Sequence, residues 1–266
     1  MALIAVDIGN SRIKLGLFAA HTDQPAMEKS GLPLPDRVIS LSAVQWDETT
    51  LKRWLNDVPP GAACWIGSVN RPAAARLTEW IGTKWPIRNL AATDLPITAA
   101  VDRPEHVGID RLAGAAAANR LRDPQRPAVV VHVGSAITVN LVTADGVFRG
   151  GAILPGLGTS ARALHEFTDM LPHAPLEDSL KPPPSVGTST LTAIYSGLYW
   201  GAVGAIRELI EQLSATLGSS AAKVEVFLTG GAAPAVADQI DPAVRYVEHL
   251  VLAGIALAKP AARVDG

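Results

Sequence analysis

An α/β fold made of two similar halves is what this sequence predicts, and three observations predict it. Apolar, β-branched runs at 2–18, 63–69, 128–143, 147–153 and 224–228 read as strands. Longer helical stretches lie among and after them, at 110–122, at about 189–217 with room for a break, and at 248–258, where Pro260 would end the last one. The third observation is an internal echo: AVDIGNSRIKLGL (5–17) returns as VVHVGSAITVNL (130–141). Each copy is an apolar strand, one polar residue, an apolar residue, glycine, small residues and a second strand. Two copies about half a chain apart suggest a duplicated domain with a cleft between the halves, although two glycine hairpins can also resemble one another by chance. The turn-rich RDPQRP (122–127) marks the link, giving domains at 1–122 and 123–266, with the last helix free to pack back on the first domain.

Composition narrows the function classes. At 266 residues, 48% hydrophobic and 18% charged, the chain can bury a sizeable core and is neither disordered nor a coiled coil. A net charge of −2 gives no electrostatic case for nucleic acid or an anionic membrane, so a small-molecule ligand fits better. Cys64 is the only cysteine, which removes an intrachain disulfide and suits a reducing cytoplasm. Asp7 interrupts the apolar N-terminus and no basic segment precedes it, unlike a signal peptide. The longest uncharged stretch, 182–206, is too broken by proline, glycine and hydroxyl residues to span a bilayer.

Chemistry concentrates in three motifs. In DIGNSRIK (7–14), Gly9 lets main-chain N–H groups approach a ligand, Asn10 and Ser11 add small polar donors, and Asp7 can hold hydrated Mg²⁺; alone, a plain hairpin with a solvated aspartate is the simpler reading. In PEHVGIDRLAGAAAA (104–118), Asp110 and Arg111 follow the Gly108 turn at a helix start. There a carboxylate can accept a hydroxyl proton and a guanidinium can meet an anion, or Asp110 can merely favour the helix N-terminus. In VEVFLTGGAAPAVA (224–237) the pair Gly230 and Gly231 allows a flat ligand to lie on the backbone before a helix, and serves equally as a connector. GAILPGLGTS (151–160) has Leu157 where a P-loop requires lysine. The histidines, at 21, 106, 132, 165, 173 and 249, lack transition-metal spacing.

Taken together, the motifs resemble the type III pantothenate kinases of the acetate and sugar kinase, Hsp70 and actin superfamily. DIGNSRIKLGLF looks like the family's first phosphate motif, GIDR its substrate and catalytic motif, GSAIT its second phosphate motif, GGAILPGL the segment after it, VGTSTLTAIYSGLYWG the stretch closing the substrate pocket and LTGG the adenosine motif. The resemblance implies two actin-like (ribonuclease H-like) domains with mixed sheets flanked by helices, and ATP-dependent phosphorylation of pantothenate as the first step toward coenzyme A. It also implies a cytoplasmic homodimer using Mg²⁺ and a monovalent cation, K⁺ or NH₄⁺. By the same resemblance Asp7, Ile8, Gly9, Asn10, Ser11, Arg12, Ile13 and Lys14 surround phosphates and Mg²⁺, with Ser135, Gly230 and Gly231 also on the nucleotide. Asp110 is the base. Val101, Gly108, Ile109, Asp110, Arg111 and Thr190 contact pantothenate, Thr190 across the dimer.

Departures from the family pattern fall in the second copy. His132 and Asn140 stand where relatives carry acids, and Ser135 where they carry threonine; Val101 replaces a frequent tyrosine. The first of those acids is associated with the monovalent cation, for which imidazole is a poor ligand, so either His132 supplies positive charge in its place or the site has lost activity. Two alternatives follow from these changes: a kinase of another small hydroxy acid, or a non-catalytic nucleotide-binding regulator.

Overall fold

The computed structural model describes residues 2–19, 31–176, 181–218 and 222–259; His21 and Pro260 lie outside the described residues. In chain order the elements begin with β1 (Leu3–Ile8), β2 (Arg12–Phe18), β3 (Arg37–Ser42), α1 (Glu48–Asn56), β4 (Ala63–Ser68), α2 (Arg71–Ile81), β5 (Ile87–Asn89), β6 (Thr98–Ala99) and α3 (Ile109–Leu121). They continue with β7 (Ala128–Val133), β8 (Ala136–Val142), β9 (Val147–Pro155), α4 (Leu157–Glu166), α5 (Thr190–Ala215), β10 (Glu225–Thr229), α6 (Ala233–Ile240), β11 (Arg245–Tyr246) and α7 (Leu250–Ala256). One compact unit takes the chain up to Leu121 together with the stretch from His249, and the other is Arg122–Glu248.

In the first unit the strands run in the order β3-β2-β1-β4-β5, with β1–β2 and β2–β3 antiparallel and β1–β4 and β4–β5 parallel. Strand periodicity sorts the two faces. Ile4, Val6, Ile8, Ile13, Leu15 and Ile66 join Leu51 and Leu55 of α1 and Leu77 and Ile81 of α2 in one core. Toward α3 and α7 the residues are small. A β-carbon on Gly16 would meet Leu252 at 3.1 Å, and one on Gly67 would meet Ile255 at 3.1 Å and Ile109 at 3.3 Å. α3 is buried nearly all round, through Ala113, Ala115–Ala118 and Leu112. α7 approaches it so closely that a β-carbon on Gly254 would sit 1.9 Å from the Ala113 carbonyl oxygen. The buried Leu250, Val251, Leu252 and Ile255 each contribute roughly 1.5–3 kcal/mol of hydrophobic stabilisation to that packing.

The second unit repeats the plan. β7–β8 and β8–β9 are antiparallel, β7–β10 and β10–β11 parallel, so its strands run β9-β8-β7-β10-β11. Meander, parallel fourth strand and parallel fifth strand recur in the same places, which makes the sequence echo a repeated fold. Val129, Val131, Ile137 and Val139 pack against Tyr199, Val203 and Ile206 of α5 and Val236 of α6. α5 is continuous over 26 residues, without the break its glycines left room for. Its start is fixed reciprocally: Thr192 N–H donates to Ser189 Oγ (3.2 Å) and Ser189 N–H to Thr192 Oγ1 (2.9 Å). The stretch after Leu121 is held firmly, because the buried Arg122 guanidinium donates to the carbonyls of Asp123, Pro124, Arg126 and Ala144 at 2.9–3.0 Å.

Candidate active site

Asp7 lies next to the end of β1, on the small-residue face, and strand register gives it two neighbours: Lys14 on β2 and Gly67 on β4. Ile109, at the start of α3, packs over Gly67. The next residue is Asp110. This stacking brings two carboxylates 103 positions apart in sequence into electrostatic contact. Burial first, and then the Asp110 charge, push the Asp7 carboxyl up to about 7, while Lys14 pulls it down. The Asp110 carboxylate accepts from Arg111 N–H through Oδ1 at 2.9 Å, and the same oxygen lies 2.6 Å from where a β-carbon on Gly108 would stand. Arg111 is half-buried; desolvation lowers its pKa and Asp110 raises it.

The β1–β2 turn closes with Gly9 N–H donating to the Arg12 carbonyl at 2.9 Å. Asn10, Ser11 and Arg12 are exposed and Lys14 half-buried, whereas Ile8 and Ile13 are fully buried in the core. The two isoleucines can therefore meet a ligand only through their main chain. Ile109 is buried too, Gly108 and Val101 are half-buried, and all three belong to the same unit.

In the second unit His132 occupies on β7 the place Asp7 has on β1, facing Thr138 on β8 where Asp7 faces Lys14. Gly134 N–H closes the turn on the Ala136 carbonyl (3.0 Å). Gly230 has φ +109°, a left-handed conformation that suits glycine, and a β-carbon there would strike the Val133 carbonyl oxygen at 2.3 Å and the His132 ring at 2.6 Å. The imidazole therefore sits between the Gly134 and Gly230 turns. Ser135 is half-buried beside it, and Gly231 is exposed with open space around its α-carbon. Asn140 is buried and donates through Nδ2 to Thr138 Oγ1 (3.1 Å). Thr190 opens α5 and is exposed.

The model of the type III pantothenate kinase family matches residues 3–212. The chain belongs to that family. Among type III pantothenate kinases it is 33% identical to that of Chlorobaculum parvum over 262 residues, covering 96% of this chain and 92% of the relative. It is 29% identical to that of Roseiflexus sp., covering 96% and 97%. A Baf family protein from Campylobacter jejuni shares the fold, with TM-score 0.58, 19% identity and 96% of each chain covered. Two polar residues of this pantothenate kinase family member escape the motif-based reading. Asn70, at the α2 N-terminus, donates to the Gly9 carbonyl (3.3 Å), and Thr159, in the first turn of α4, to the Ser135 carbonyl (2.7 Å). The first carries a readable signal, a helix-capping asparagine two residues before a proline.

Proposed function

We propose that the chain transfers the γ-phosphoryl group of ATP to the primary hydroxyl of pantothenate, giving 4′-phosphopantothenate and ADP at the first step of coenzyme A biosynthesis. The observation that carries this reading is the buried Asp7 carboxyl under the opposing charges of Asp110 and Lys14 in a chain of this family. Asp110 accepts the hydroxyl proton as the oxygen attacks phosphorus and the β,γ-bridging bond breaks. Phosphoryl transfer rests on alignment and charge neutralisation, so a carboxylate is basic enough. Arg111, with Gly108, Ile109, Val101 and Thr190, is assigned to pantothenate, whose carboxylate suits a guanidinium. Lys14 and the Gly9–Ser11 turn are assigned to phosphate, as are Ser135, Gly230 and Gly231 to the nucleotide.

Mg²⁺ fits the first corner: a buried carboxylate, raised by a second one and opposed by one lysine, lacks positive charge. Asp7 would hold it through water, and when bound it would neutralise phosphate charge. K⁺ or NH₄⁺ does not fit the second corner, where His132 and Thr138 face one another and no carboxylate replaces Asp7. In an ADP-release assay, pantothenate-dependent turnover is expected in sodium buffer, with K⁺ and NH₄⁺ changing it less than about two-fold, and with His132→Asp making it K⁺-responsive. Strong K⁺ activation of the wild type would defeat the cation assignment; ATP binding without turnover on pantothenate would defeat the pantothenate assignment, and without turnover on related hydroxy acids as well it would defeat the kinase reading.

The compartment we propose is the cytoplasm, which suits one buried thiol, Cys64, pushed up to about 12 by burial. Among the described residues no helix is long and apolar enough to cross a membrane. We further assign a homodimer. Phe167 and Met170, just after α4, are 84% and 87% exposed, apolar surface of the kind that a second subunit covers. Sedimentation at micromolar concentration should give twice the chain mass; a fully active species of single-chain mass would remove the dimer.

A further inference from the structure

We infer that Asn70 and Thr159 are positioning residues that aim the phosphate-binding amides of the two glycine turns. The inference deepens the proposed function and rests on its nucleotide-binding part.

A glycine hairpin is a soft support for a multiply charged ligand, because its peptide planes can rotate. Main-chain N–H groups hold phosphate well only when their direction is fixed beforehand. In each unit one peptide plane of the turn is fixed from outside the hairpin. In the first, the Gly9 carbonyl accepts from Asn70 Nδ2 (3.3 Å). Gly9 C=O and Asn10 N–H share a planar trans peptide and point in opposite directions, so tying the carbonyl toward α2 turns the Asn10 N–H away from it, out of the protein. In the second, the Ser135 carbonyl accepts from Thr159 Oγ1 (2.7 Å) and Gly156 N–H (2.9 Å), which turns the Ala136 N–H outward by the same geometry.

The tethers come from rigid supports. Asn70 caps α2, its Oδ1 accepting from Ala73 N–H (3.1 Å), and Asn70 N–H donates to Ser68 Oγ (3.0 Å) while Ser68 Oγ–H donates to the Asn70 carbonyl (3.1 Å). Val69 N–H meanwhile donates to the Ile8 carbonyl (3.0 Å), extending the β1–β4 pairing to the edge of the turn. Gly156 caps α4, and a β-carbon there would lie 2.0 Å from the Gly134 carbonyl oxygen, so α4 starts hard against the second turn. Two turns of different length and sequence, in two units that repeat one fold, thus receive the same support: a side-chain donor from a helix N-terminus onto a turn carbonyl.

The substitutions that isolate the tethers are Asn70→Ser, which preserves an N-cap of equal quality but is too short to reach Gly9, and Thr159→Val, which keeps volume and removes the hydroxyl. Calorimetric titration with Mg²⁺ and a non-hydrolysable ATP analogue reads affinity, and thermal unfolding of the free protein reads structure. Each variant is expected to bind the analogue about 3- to 10-fold more weakly, the size of one net hydrogen bond. Unfolding midpoints should stay within a few degrees, and Thr159→Ser should restore wild-type affinity. Equal affinity in wild type, Asn70→Ser and Thr159→Val would overturn the inference, as would weakening in Thr159→Ser equal to that in Thr159→Val. Wild-type protein that binds no nucleotide would overturn the kinase reading itself.

Discussion

Replacing Asp110 with asparagine should lower pantothenate-dependent turnover by about 10²–10⁴-fold, the range expected when a positioned general base is removed. The exchange preserves shape, and α3 is buried mainly through its alanines, Leu112 and Leu121, so folding should be spared. Nucleotide affinity should hold or improve, because one negative charge leaves the surroundings of the phosphates. A second consequence separates this outcome from general damage. Asp110 is the second-largest cause raising the Asp7 carboxyl, so in Asp110→Asn the Asp7 titration should move down from about 7. Single-turnover rates, analogue titrations and a carboxyl-resolved NMR pH series would read all three effects. A near-normal rate would remove Asp110 from its role, and an unmoved Asp7 would show that the two carboxylates do not interact.

Much of this fold was legible in sequence because the two hairpins are written in strong local signals. Apolar runs end at Gly9 and Gly134, and Asp145-Gly146 turns β8 into β9 with Gly146 at φ +82°. The α3 pattern of alanines and the double glycine before α6 were equally plain. β3 and β5 were not, since β3 is mostly half-buried or exposed and β5 is only three residues long, which leaves little periodicity to read. α1 and α2 went unmarked although Asp47 and Asn70 cap them, because capping signals are weak beside longer apolar runs. Individual site residues followed from motifs, but their meeting did not. The charges of Asp7 and Asp110 interact where Ile109 packs over Gly67 of β4, a contact without a local signature. The tethers were hidden for a similar reason: Thr159 lies in a segment that fails as a P-loop, and its partner is a main-chain carbonyl 24 residues away.

At Asp7 the expected effect is on stability as well as activity. Its folded-state pKa of about 7 lies above the roughly 3.9 of an unfolded aspartate. Between those values the folded chain keeps a proton that the unfolded chain has released, so stability falls as pH rises from about 4 to about 7 and remains low above that. Below pH 4 both states are protonated and the penalty disappears. The separation corresponds to about 4 kcal/mol at most. Asp7→Asn imitates the neutral acid at every pH. In chelator, without nucleotide, the variant should therefore come close to the wild type near pH 4.5 and exceed it by a few kcal/mol at pH 8 in urea unfolding. A gap that stays constant across that range would show that the folded protein ionises Asp7 as easily as the unfolded chain does. Turnover should meanwhile be lost, since an amide in place of the carboxylate offers no charge to hold a cation near the phosphates. Burial that makes this carboxylate costly to the fold also strengthens its attraction for a cation, so the destabilising feature of the free protein and the functional feature of the corner have one physical origin.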